Sequence, residues 1–140
     1  MNRFAMTAAS LMFGARAMAC DGLVVSDAWV REAPPGASVM AAYATLKNSG
    51  AKPIRLEGAS GADFSSVEMH RTLMQDGTMR MLAEKSLPLP PGVSVKFEPG
   101  GLHLMLFDPR RALKAGDKTT LSLQCEKSAT KVEFSVRAGE

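Results

Sequence analysis

Apolar and polar residues alternate in short runs along most of this chain, and no stretch of ten or more residues after the first nineteen carries a helical period. The runs LVVSDAWV, MAAYATLK, SVEMHRTL, MRMLAE, VSVKFE, LHLMLF, TTLSLQC and KVEFSVR suit strands. Between them lie turn-forming clusters, among them APPGA, KNSGAKP, ASGAD, QDG, LPPG, EPGG and KAGD. Short strands between regularly spaced turns predict an all-β domain, an antiparallel sandwich or small barrel. TLSLQC and VEFSV alternate cleanly, so one face of each is expected in a core and the other in water. Only RRALKAG, around Leu113, suggests a single helical turn. The chain holds no repeat and no low-complexity linker.

Two of these runs also hold both histidines. Side chains alternate along LHLMLF, so Leu102, Leu104 and Leu106 share one face while His103, Met105 and Phe107 share the other. The leucines make the natural core stripe, which displaces His103 and Met105 to the opposite side. In VEMHRTLMQDGTMRM, Asp76-Gly77 is a strong hairpin signal, because a two-residue type I′ turn needs positive φ at both positions. That turn pairs Gln75 with Thr78, Thr72 with Met81 and His70 with Ala83. His70 and Met81 then lie diagonally on one face, within reach of each other. Met74 and Met79 share that face nearer the turn. Together with Met69 they read more simply as packing than as ligands.

Composition adds a compartment. Residues 1–19, MNRFAMTAASLMFGARAMA, have a positive start, a short apolar stretch and small residues before a cut, as a secretory signal peptide does. The apolar stretch is too short to span a bilayer. Cleavage there leaves residues 20–140 as one domain and removes Arg3 and Arg16, lowering the net charge from +3 to +1. No basic stripe remains to bind nucleic acid. Cys20 and Cys125 could form a disulfide in an oxidising compartment, or Cys20 could carry a lipid, since AMAC places it where a lipoprotein cysteine stands.

Imidazoles with thioethers make a soft set suited to Cu(I) and poor for calcium, magnesium or zinc. Thioethers need no deprotonation, so only the histidines make such binding sensitive to pH. The spacing H-x10-M-x21-H-x-M formed by His70, Met81, His103 and Met105 resembles the signature of the PCu(A)C family of periplasmic copper chaperones. SDAWVREAPPGASVMAAYATLKNSG is similar to that family's N-terminal segment, and the resemblance runs from about Leu23 to Val136. It implies a cupredoxin-like Greek-key β-sandwich or barrel that is monomeric, binds one Cu(I) ion per chain and is not an enzyme. The same resemblance implies His70, Met81, His103 and Met105 as the ligands. The receiver would be the copper centre of cytochrome c oxidase subunit II, a Sco-type protein, or both. The chain ends in SVRAGE, without the His/Met-rich tail that would hold Cu(II) in some members, so no second site is expected.

Other functions fit less well. A blue-copper carrier needs a Cys thiolate among its ligands, and no histidine follows Cys125. No triad order, zinc-type cysteine cluster or phosphate loop suggests an enzyme, and Asp63 and Glu68 are expected only to solvate the surface. A structural or ligand-binding β-sandwich and a copper storage or resistance protein are the remaining alternatives.

Overall fold

The computed structural model describes residues 20–139; the expected signal peptide lies outside them. Ten strands run in order: β1 (Leu23–Arg31), β2 (Val39–Asn48), β3 (Ile54–Ser60), β4 (Ser66–Gln75), β5 (Thr78–Ala83), β6 (Leu87–Leu89), β7 (Ser94–Phe97), β8 (Leu102–Phe107), β9 (Lys118–Cys125) and β10 (Ala129–Arg137). The described residues contain no helix. The turn expected around Leu113 is irregular chain instead. Leu113 is buried in the core, and the Lys114–Asp117 turn that follows closes on itself through Lys114 N donating to Asp117 Oδ2. One helical turn has too few hydrogen bonds to repay its ordering, so the buried leucine and the turn decide the path.

β3 and β6 are strands the sequence pattern did not reveal. β3 buries Ile54 and Leu56, and its alternation then lapses where the pairing with β9 shifts register between Leu56 and Gly58. β6 is three residues long with proline at its centre. It pairs only with β3, as an edge strand whose Pro88 faces solvent.

The sheet runs β5-β4-β8-β7-β2-β1-β10-β9-β3-β6, and pairing of Ala59 with Val67 joins β3 back to β4. The sheet therefore closes into a cupredoxin-like barrel, mostly antiparallel, with β1 and β10 parallel and a short parallel contact between β7 and β8. Phe134, Leu56, Leu89, Leu106, Leu121 and Leu123 fill its interior. Asn48 is also fully buried, and it is satisfied there. Its Nδ2 donates to the carbonyls of Lys52 and Leu89 at 2.7 and 2.9 Å, and its Oδ1 accepts from Gly50 N.

Cys20 and Cys125 form a disulfide that ties the start of the described chain to the end of β9. On the loop side, Asp63 accepts two hydrogen bonds from Arg111 and one from Thr119. These donors, Arg111 first, hold the Asp63 carboxyl below the ordinary carboxylate range. Asp63 therefore clamps two loops rather than merely solvating the surface.

Candidate metal centre

The β4–β5 hairpin takes the register that Asp76-Gly77 dictates. Both residues have positive φ, 51° and 74°, and Gln75 pairs with Thr78, Thr72 with Met81 and His70 with Ala83. On its other side β4 pairs with β8, setting His70 against His103 and Glu68 against Met105. β8 in turn pairs with β2, placing Met105 beside Ala41. The barrel's outer face thus gathers Met81, His70, His103 and Met105 from three adjacent strands. The opposite face of the same strands, with Val67, Met69, Leu102, Leu104 and Leu106, lies in the core.

This outer face is not the wet surface that simple alternation predicts. His103 is only 5% exposed, whereas Met81 is 59% exposed on an outer strand. A cavity of about 200 Å³ opens here, lined among others by Arg31, Tyr43, Met79, Met81, His103 and Met105. His70 is not among the lining residues, but its ring centroid lies 5.9 Å from that of His103.

Hydrogen bonds fix which ring nitrogens are free. A carboxylate and a carbonyl can only accept, so His70 Nε2–H donates to Glu68 Oε2 at 2.8 Å and His103 Nδ1–H donates to the Gly101 carbonyl at 3.1 Å. The remaining nitrogens, His70 Nδ1 and His103 Nε2, are buried and have no hydrogen-bond partner. A buried unpaired acceptor is costly. Two of them on neighbouring rings, on the face that also carries two thioethers, make a donor set that a soft cation would satisfy. Among the described residues no three His, Cys, Asp or Glu side chains converge as a metal group, so a metal held on this face would depend on the thioethers.

Of the other methionines, Met69 is core packing, while Met74 and Met79 stand exposed near the turn. Glu68 is the residue that sequence reasoning missed. The signal was available, since residues i and i+2 of a strand share a face and Glu68 precedes His70 by two.

A family model described as "Putative lipoprotein LpqE-like" matches residues 23–137. The similarly described Lxx21020 of Leifsonia xyli subsp. xyli is 34% identical over 79% of this chain and 66% of its own length. The uncharacterized RP573 of Rickettsia prowazekii is 29% identical over 66% of this chain and 51% of its own. The chain therefore spans between half and two thirds of these relatives. Among solved structures, the copper-bound PCuAC domain from PmoF2 has a TM-score of 0.72 and 27% identity, covering 86% of this chain and 97% of that one. The Cu(I) solution structure of DR1885 from Deinococcus radiodurans has a TM-score of 0.62 and 28% identity, covering 86% and 81%.

Proposed function

The chain belongs to the LpqE-like family, and from that premise we propose that it is an exported copper chaperone, not an enzyme, carrying one Cu(I) ion on His70, Met81, His103 and Met105. The single observation that carries this reading is the pair of buried, unpartnered ring nitrogens, His70 Nδ1 and His103 Nε2, on one face with two thioethers. Copper bound to the similar domains from PmoF2 and DR1885 supports the choice of metal. Residues 1–19 would direct export to the periplasm and be removed.

Copper is cargo here, so the set must release as well as hold. Met81 is exposed on an outer strand and His103 is buried. An incoming ligand therefore displaces Met81 first, and His103 lets go last. Flexible thioethers suit such stepwise exchange, which never frees the ion to solvent. The receiver would be the copper centre of cytochrome c oxidase subunit II, or a Sco-type protein acting before it.

Competition against a chromophoric Cu(I) chelator tests the reading. Wild type is expected to withhold one equivalent of Cu(I), with Met81→Leu and His103→Ala each weakening binding by about tenfold or more. Equal affinity in wild type and the Met81→Leu/His103→Ala double variant would sink it. Transfer to the apo copper domain of subunit II, followed by that centre's absorption, separates a chaperone from a storage protein.

A further inference from the structure

Beside the candidate metal face, Arg31 on β1 and Arg137 on β10 are direct partners in the parallel ladder, so two cations stand side by side on one face. Like charges in that relation repel. Aromatic rings hold both in place: the Arg137 guanidinium lies 5.6 Å from the Trp29 ring, that of Arg31 lies 5.8 Å from Tyr43, and the two rings are 4.8 Å apart. Stacked arginines of this kind are pre-organised to grip carboxylates as a fork.

The neighbouring carboxylates balance Arg137 but not Arg31. Asp27 Oδ1 accepts from Arg137 Nη2 at 2.9 Å, and Glu98 is taken by Lys96 at 3.5 Å. Glu32, next to Arg31 in sequence, accepts from the backbone N–H of Ala115 instead. Among the described residues Arg31 joins no ion pair, and its Nε is buried without a partner. A cavity of about 300 Å³ lies over this ladder, lined by Trp29, Arg31, Pro99, Arg137 and Ala138. Arg31 and Pro99 line the metal-face cavity as well, so the two cavities adjoin.

We infer that this arginine–aromatic groove is the docking site for a carboxylate-bearing segment of the protein that exchanges copper with this one. The inference rests on the copper-chaperone reading for the identity of the partner, but not for the binding of acid. An Asp or Glu side chain on the partner, placed between Arg31 and Arg137, would relieve their repulsion. It would also set the partner's own metal ligands over Met81. Charge at such a rim governs encounter rate more than final affinity.

Two peptides test it: a Met-x-x-Met segment flanked by glutamates, and the same segment flanked by glutamines. In the first arm, without copper, the acidic peptide shifts the Arg31 and Arg137 Nε–Hε resonances saturably, and the neutral peptide and inorganic phosphate do not. In the second, Cu(I) passes to the acidic peptide about tenfold faster at low salt. That advantage is expected to disappear at high salt and in Arg137→Gln, and to survive partly in Arg137→Lys, while chelator-measured Cu(I) affinity stays unchanged, since Arg137 does not line the metal-face cavity. Equal shifts with phosphate or the neutral peptide would overturn the inference, as would an undiminished advantage in Arg137→Gln. So would acidic-peptide binding seen only after deletion of Glu140, which would make the chain's own terminus the occupant. If wild type binds no Cu(I), the chaperone reading fails while the copper-free arm still decides the groove.

Discussion

Glu68 acts on the candidate site without being one of its ligands. Its carboxylate accepts from His70 Nε2, which leaves Nδ1 as the buried lone-pair nitrogen. An imidazole that ligates a metal through one nitrogen is commonly oriented by an acceptor on the other. Removing that acceptor is expected to release the ring to either tautomer. In Glu68→Leu, long-range proton–nitrogen NMR of the copper-free protein should show the Nδ1–H form of His70 gaining population, and Cu(I) affinity should fall by about tenfold. Glu68→Gln still offers an acceptor oxygen and should retain most of both. An unchanged tautomer in Glu68→Leu would remove Glu68 from the site. At this scale the sequence is only partly legible. Alternation along LHLMLF put His103 and Met105 opposite the leucines, yet nothing in it revealed that His103 would be buried. Burial came from strands distant in sequence, since β2 and β4 flank β8 on either side.

Among the elements, the β4–β5 hairpin was the most legible, because Asp-Gly fixes both turn type and register locally. One residue of slip would carry Met81 to the other face and leave Arg80 or Leu82 in its place. Gly77→Val puts a β-branched residue at φ 74°, a conformation it strongly resists. The expected result is a loss of about 1–2 kcal/mol in hairpin stability, faster amide exchange along β5 and a Cu(I) affinity close to that of Met81→Leu. Gly77→Asn tolerates the same backbone and should behave nearly as wild type. Affinity retained in Gly77→Val with β5 unprotected would show that Met81 needs no hairpin to serve. β3 and β6 stayed hidden for a related reason. Their pairing partners lie far along the chain, and a bulge near Gly58 and a proline at position 88 break the local pattern that would announce them.

For the whole molecule, Cys20–Cys125 joins the start of the described chain to the end of β9 across 105 residues. The bond does two things at once. It restricts the unfolded chain, and it removes two thiols that would otherwise compete for a soft ion with the proposed ligands His70, Met81, His103 and Met105. It also bears on the lipoprotein description of the family, because the Cys20 sulfur that a lipid would occupy is the one the disulfide uses. The described residues contain no helix long and apolar enough to cross a membrane. Reduction or the Cys20→Ser/Cys125→Ser double variant is therefore expected to cost about 2–5 kcal/mol of stability, read as a lower urea midpoint. Below that midpoint the folded double variant should keep the wild-type Cu(I) affinity, since neither cysteine lies on the metal face. Reduced wild type should instead bind additional Cu(I) through its freed thiols. If the double variant lost Cu(I) binding while still folded, the disulfide would be shaping the metal face directly, and its role could no longer be confined to stapling the barrel and masking thiols.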